Sequence, residues 1–522
     1  MLKRSTLLVV IAALIFSLAC GNRQVPDVLV IGIPADTDSF NPLQVRSRFG
    51  SELSKMMFSS LLNEEPDFIH FTPSLARSWQ FLDDSTRIRF NLLGNVFWSD
   101  SVRLTAGDVA FSHQLYTDPD IGWVGSSVKD RITRVDAVDD STVDFYFSAP
   151  YPYQLMDANE GVILPRHLLK DLDPEAIKAF DYTENQVSGG PYILKSYVGN
   201  QFIELTGNPL YYNPQYPLIK RVVFKIVPDK SLLLTQLDMG EIHMMDGIPP
   251  DQADFTGHPN IKVESFPYAQ FTQISWNTRL PLFSDPEIRR ALTLAIDRQA
   301  LVDHLLKGYG HVSKGPLHPM LWAYNPDLET LPYDPVRAAA ILKDRGWTDS
   351  DGDGYVDKDG TNFEFKLLTN IGSQVREDAL VMIQEMMRQA GIKVIPQRLE
   401  WSVYVEKMIN RDYDGLLLGM MSATKVDVFQ VWHSSMTGND GFNLSCYENP
   451  RIDYIIETAP ELVDRKQAQK LWYEFQDILI QDQPATFLWI PDRIVGLDKK
   501  LAGYHFSPVS TLNNIHEWYW KH

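Results

Sequence analysis

The stretch at 75–111, LARSWQFLDDSTRIRFNLLGNVFWSDSVRLTAGDVAF, decides the reading of this chain. Ile88, Phe90 and Leu92 alternate with Arg87, Arg89 and Asn91. A period of two with one apolar face predicts a half-buried strand over 86–92. Thr105-Ala-Gly-Asp108, followed by Val109-Ala-Phe111, predicts a helix that starts at a hydroxyl cap with an acid three residues on. A strand with one wet face, a turn and then a capped helix place this segment in a domain of mixed strands and helices.

Outward from it the same mixture continues. Toward the N-terminus, 28–33 is a compact β-branched run read as a buried strand, and Asn41-Pro42 is a turn. Leu53, Met56, Met57 and Leu61 give 51–62 a helical spacing. Toward the C-terminus, 142–147 alternates as a strand, and Gly189-Gly190-Pro191 breaks the chain before a strand at 192–197. Another strand is expected at 221–227, with Val223 and Phe224 buried on either side. Ile288, Leu292, Ala295, Ile296 and Leu301 form one stripe, which predicts a single helix over 286–307. Helices at 335–345 and 376–390 are closed by Gly346 and Gly391, a strand follows at 392–395, and 467–479 is amphipathic. The fold class is α/β, mixed α+β, with several subdomains.

The chain has 522 residues, too many for one core, so two or three domains are expected. A formal net charge of -19 excludes a general nucleic-acid binder. Aromatics are 11%; many belong to the core, and any excess beyond core needs suits a pocket that grips a ligand by stacking.

Lys3 and Arg4 precede an apolar run at 7–18, then Ala19-Cys20-Gly21. Such a run is short of the roughly 20 residues that span a bilayer and reads as an export signal over 1–20. The ending resembles a bacterial lipobox, whose cysteine takes diacylglycerol and becomes the mature first residue. Leucine stands one place nearer than usual, at Leu18, with Ser17 in its ordinary position. Cys20 is therefore the expected lipidation site and membrane anchor; a plain signal peptide or an uncleaved anchor, with Cys20 incidental, is the alternative. The second cysteine, Cys446, is then left without a disulfide partner.

An ordered series of segments carries a family likeness: Leu75-Ala-Arg-Ser-Trp79, Val96-Phe-Trp-Ser-Asp100, Leu104 through Phe111, Ser188-Gly-Gly-Pro-Tyr192, Asn208-Pro-Leu-Tyr-Tyr212, Asp285-Pro-Glu-Ile-Arg-Arg-Ala-Leu292, Tyr333-Asp-Pro335, Gly391-Ile-Lys-Val394, Leu399-Glu-Trp401, His433-Ser-Ser435 and Asn449-Pro-Arg-Ile-Asp453. The chain resembles the family 5 extracellular solute-binding proteins, the dipeptide-, oligopeptide- and nickel-binding components of ABC importers. The family usually has glycine where Ser101 stands. The resemblance implies a type II periplasmic-binding-protein-like fold of two hinged lobes with an extra inserted domain. Domain I comprises 21–63, 188–272 and 490–522, domain II is the insert 64–187, and domain III is 273–489. Crossing segments near Phe271 and Trp489 form the hinge, and a small molecule or peptide is held between domains I and III. The implied partners are the permease subunits of an ABC transporter, with the protein itself a monomer and no cofactor required.

The ligand-binding candidates follow from that frame. Trp401 lies in the segment where oligopeptide binders touch ligand. Tyr268, Phe271, Trp276 and Asn277 lie on the crossover, and Thr424, Asp427 and Trp432 on the segment after Gly419; core packing is the alternative for Tyr268, Phe271 and Trp276, and a structural tryptophan at a strand end for Trp401. Peptide binders of the family usually carry an aspartate in that last segment, where it pairs with the ligand's ammonium, since a buried ammonium is costly unless paired. Here the matching position is Ala423 or Thr424, neither acidic. A blocked peptide, a sugar oligomer or a metal chelate is then as natural a ligand as a free-amine peptide. Asp349, Asp351, Asp353 and Asp357 have the alternate spacing of a calcium loop, against a plain polar turn as the alternative, and Gly360 stands where its glutamate belongs. Ser422-Ala-Thr-Lys425 has the Ser-x-x-Lys spacing of penicillin-recognising serine enzymes without a companion motif, which leaves a secreted hydrolase as a rival reading. A chaperone or adhesin on the same fold is the other.

Overall fold

In the computed structural model, which describes residues 27–521, the alternation at 86–92 becomes the strand Arg87–Leu92 with Ile88, Phe90 and Leu92 buried. Cys20 and the leader lie outside the described residues. The strand pairs antiparallel with Ala76–Leu82 and Thr142–Phe147, and the latter with Ile132–Asp139, in a four-stranded sheet. Its wet face is ordered by charge. Arg87 and Arg89 both reach Asp144 on the neighbouring strand, at 3.0 and 2.7 Å. Thr105 caps the helix Ala106–Thr117, its backbone N–H donating to the Asp108 carboxylate at 2.8 Å.

Between strand and helix the chain turns at Ser101, whose φ of 72° is in the left-handed region. A side chain there costs about 1–2 kcal/mol. Glycine would relieve that strain and return about 0.4–1 kcal/mol through a more mobile unfolded chain. Ser101→Gly is therefore expected to stabilise the protein by about 0.5–1 kcal/mol in urea unfolding; a lower midpoint would contradict this account of the turn.

A second, twelve-stranded sheet organises the rest. Its order runs Lys393–Leu399, Glu364–Asn370, Gly415–Met421, Gln270–Trp276, Ala485–Asp498, Met244–Asp246, Leu29–Ile33, Arg221–Ile226, Phe202–Gly207 and Tyr192–Val198. The 14-residue strand Ala485–Asp498 belongs to both halves. Its first residues pair with Gln270–Trp276, Ala485 opposite Ser275 and Trp489 opposite Thr272. Its last pair with Ile261–Pro267 and Met244–Asp246. The chain at 261–276 also crosses between the halves, with its ladder interrupted at Tyr268 and Ala269. Two segments thus pass side by side, at 267–270 and 489–492. The buried apolar residues divide along the same line. One cluster joins the N-terminal strands, the small sheet and the C-terminal residues, while two others are built from 271–490.

Three elements depart from the expectations, each for a local reason. The helix expected at 51–62 is Arg48–Met57. Its last carbonyl, on Met57, accepts the Gly190 N–H at 2.8 Å and the Ser188 hydroxyl, so the Gly-Gly-Pro break closes the helix from outside. A Cβ on Gly190 would lie 2.6 Å from the Met57 carbonyl carbon, so only glycine fits. The helix expected at 286–307 is two, Pro286–Leu294 and Arg298–Leu305, because Asp297 caps a new start by accepting the Ala300 N–H at 2.9 Å. On the strand Arg221–Ile226 the buried residues are Val222, Phe224 and Ile226, and Val223 is only half-buried. Gly346 and Gly391 do close their helices, with φ of 86° and 76°. Among the described residues no helix is long and apolar enough to cross a membrane.

Candidate functional site

Where the two segments cross, charged groups from distant parts of the chain converge. Arg493, just past the crossing, makes a two-pronged bond to Asp246, Nε and Nη2 donating at 2.5 and 2.6 Å. Asp246 also accepts the Thr511 hydroxyl at 2.9 Å, and Arg48 stands 3.8 Å away. Arg48 in turn pairs with Glu52 at 3.1 Å, one turn along its helix. The half-buried Tyr268 ring lies among these cations, 4.7 Å from the Arg493 guanidinium and 5.8 Å from that of Arg48. Such contacts fix an aromatic face and are worth about 0.5–2 kcal/mol each, more as water is excluded. The Tyr268 carbonyl accepts from His318 Nε2 at 3.0 Å. Burial lowers the His318 pKa to about 4, so the ring is neutral near pH 7, and its Nδ1 accepts the Met320 N–H at 3.2 Å.

Other exposed or unsatisfied groups lie in the other half of the sheet. Trp401 starts a helix, is 58% exposed and stacks on Tyr404 at 6.2 Å. An exposed indole on a rigid element is surface available to a ligand. Met421 is also exposed, at the end of the strand Gly415–Met421. Arg376 Nη2 donates to Asn370 at 2.8 Å, while its buried Nε has no hydrogen-bond partner within the protein.

Four of the eight ligand candidates reach the surface: Tyr268, Trp401, Thr424 and Asp427. The other four are buried in the folded chain. Trp276 is fully buried, stacks on Phe283 and donates Nε1 to Thr486 at 3.0 Å. Asn277 is buried, and its amide donates to the Tyr413 carbonyl at 3.0 Å. Phe271 and Trp432 both pack in the cluster around Phe487. The strand Gln270–Trp276 is buried on both faces after its first residue. Asp427 accepts the Phe429 N–H of its own turn at 3.3 Å.

Of the four carboxylates in the calcium-like loop, three come together. Oxygens of Asp349, Asp351 and Asp353 lie within 4.8 Å of one another on an exposed turn. Backbone N–H groups of Gly352 and Gly354 hold Asp349, and those of Asp353 and Tyr355 hold Asp351 and Asp353. Asp357 is buried and turned inward, accepting from the Ser350 N–H and hydroxyl at 2.7 and 2.8 Å. The serine-enzyme motif is not assembled either. Lys425 is paired with Asp157 at 2.5 Å, and the Ser422 hydroxyl donates to the Ala423 carbonyl at 3.4 Å. An open groove of about 790 Å³ lies between the helix Ala106–Thr117 and the strand Ile132–Asp139, on the small sheet and apart from the crossing strands.

Two halves joined by side-by-side crossing strands, with an aromatic and a cation–carboxylate cluster at the crossing, define a two-sided binding protein of the periplasmic type. The match to the family model of bacterial extracellular solute-binding proteins, family 5, over residues 70–442, is decisive: the chain belongs to that family. It is the solute-binding, non-catalytic component of an ABC importer, extracellular or periplasmic in location. The oligopeptide-binding protein AppA of Bacillus subtilis is 30% identical over 509 residues, covering 96% of this chain and 93% of that one. The structure of that protein in complex with a nonapeptide superposes with a TM-score of 0.74 at 29% identity, over 95% of this chain and 99% of that one. NikZ of Campylobacter jejuni, in complex with Ni(L-His), shares the fold with a TM-score of 0.77 at 24% identity, over 95% and 100% of the two chains.

Proposed function

We propose that the solute is a peptide or similar small oligomer, taken up between two lobes and handed unaltered to the permease subunits. One lobe is formed by 21–63, 188–272 and 490–522, with 64–187 inserted in it, and the other by 273–489. The observation that carries this reading is the Tyr268–Arg493–Asp246 cluster at the crossing, together with full-length similarity to a protein named for oligopeptide binding. A stacked aromatic with fixed charges beside it suits an extended chain whose side chains vary but whose backbone does not. Closure excludes water and strengthens each hydrogen bond to that backbone. Native mass spectrometry of freshly purified protein is expected to show a set of peptide masses that dissociate intact; a single non-peptide mass would overturn the reading.

Cys20 is the lipid anchor in this account. Cys20→Ser is expected to move the protein from the membrane fraction to the soluble fraction and to abolish incorporation of labelled palmitate, with ligand binding unchanged. A membrane-bound, unlabelled variant would contradict it.

A further inference from the structure

Besides the crossing strands, a second set of contacts joins the two halves of the molecule. On one side stand Arg131, at the start of a strand of the small sheet, Tyr151 and Tyr153, and Asp157 on the helix Gln154–Asn159. Their neighbours Ile132, Tyr151 and Ala158 belong to the apolar cluster that also holds the N-terminal strands. On the other side stand Lys425, Val426 and Glu461, set in the cluster of Val426, Ile452 and Ala459. None of these residues lies in the crossing segments at 267–270 and 489–492. This tie is therefore made by side chains meeting, and not by the chain passing from one half to the other.

The contacts are polar. Lys425 Nζ lies 2.5 Å from Asp157 Oδ1 and 5.3 Å from the centre of the Tyr153 ring. The Asp157 side chain is only 3% exposed, and its other oxygen accepts the Tyr151 hydroxyl at 2.7 Å. The Val426 N–H donates to the Tyr153 hydroxyl at 3.4 Å. Arg131 Nη1 donates to Glu461 at 2.8 Å, and its Nη2 donates to the other oxygen of that carboxylate. The Arg131 guanidinium also lies 4.7 Å from the centre of the Tyr151 ring. Tyr151 thus touches both ion pairs, one through its ring and one through its hydroxyl.

Each side contributes one cation and one carboxylate, so the faces are complementary in one register, and a displaced register would set like charges together. Ion pairs also suit a contact that has to part. Separated charges recover their hydration, so the net strength of such a pair is small and the two faces can hold or release with little change in free energy. A contact of that kind biases an equilibrium between two arrangements without fixing either.

We propose that these contacts are a latch on lobe closure: they favour the closed arrangement before cargo arrives, so the ligand-stripped protein already samples it and cargo has less free energy to supply. The proposal is independent of which solute is carried, and its test adds none.

The readout is small-angle X-ray scattering of the ligand-stripped, full-length protein at low salt. Arg131→Glu sets two carboxylates against each other. It is expected to move the open–closed balance about tenfold or more toward the open form, and so to raise the radius of gyration and the maximum dimension. Combining it with Glu461→Arg restores the pair with its signs exchanged, and both dimensions are expected to return to those of the unmodified protein. Identical scattering from the unmodified protein and folded Arg131→Glu would overturn the proposal. So would a rise that Glu461→Arg leaves in place, because lost packing of Arg131 on Tyr151 would then account for it. Lys425→Met tests the other pair without touching Arg131, and its urea midpoint shows that it folds. It leaves the Asp157 carboxylate without its partner whenever the sides meet, and the same rise in both dimensions is expected. Unchanged dimensions in that variant would equally overturn the latch.

Discussion

Trp276→Ala is expected to lower the stability of the half built on 270–490 by about 3–5 kcal/mol, the range for truncating a large buried aromatic. The indole is closed off from solvent, stacked on Phe283 at 5.4 Å and set edge-on to Phe365 at 5.5 Å. Its removal leaves a cavity against the central strand and takes one hydrogen-bond partner from the Thr486 hydroxyl, which keeps the Thr293 hydroxyl at 2.6 Å. Urea unfolding followed by tryptophan fluorescence measures the loss. Trp401→Ala gives the contrast. The exposed indole contributes little to folding, so its removal should change the unfolding midpoint little and weaken peptide binding by about tenfold. The pair separates a tryptophan that builds the sheet from one expected to meet a ligand. A Trp276→Ala protein of full stability and lost binding would reverse the two assignments.

Asp246→Ala is expected to have the other large effect. Its carboxylate pairs with the Arg493 fork, and Arg48 stands near it. Both guanidinium groups keep some solvent contact, with side chains 20% and 29% exposed. The cost therefore falls below the 3–5 kcal/mol of a fully buried broken pair, at about 1–3 kcal/mol. Binding should suffer more than folding. With Arg493 unpaired, the Tyr268 ring loses the group that fixes its face, and affinity for a nonapeptide pool should fall about tenfold or more. Calorimetry and urea unfolding on the same preparation measure the two losses; reduced stability with unaltered affinity would show the cluster to be scaffolding alone.

What the sequence disclosed follows from which patterns are local. The strand Arg87–Leu92 was legible because one face is wet and the other dry, so a period of two was visible in the residues themselves. The strand Gln270–Trp276 was not, because both faces are buried and no alternation distinguishes core from cleft. That is why Trp276 and Asn277 read as ligand residues from the sequence, while in the fold Trp276 stacks on Phe283 and Asn277 donates to the Tyr413 carbonyl. Asp297 offered its capping signal inside an apparently continuous stripe, and the cap outweighed the periodicity. The polar cluster had no local trace. Arg48, Asp246 and Arg493 are separated by hundreds of residues and individually look like surface charges; only the sheet order brings them together. The same holds for Asp157, which nothing in its own stretch connects to Lys425. The family likeness named the architecture correctly because it rests on an ordered series of segments. It did not point to the long-range contacts of Asp246, Arg493 and Asp157, which exist only once the chain is folded.

Capture and delivery both require that the two sides of the molecule close around cargo. Small-angle X-ray scattering of ligand-stripped protein, with and without a saturating nonapeptide pool, reads that motion directly. A fall in the radius of gyration and in the maximum dimension on adding peptide is the predicted result. Superimposable scattering curves from the stripped and saturated protein would contradict it.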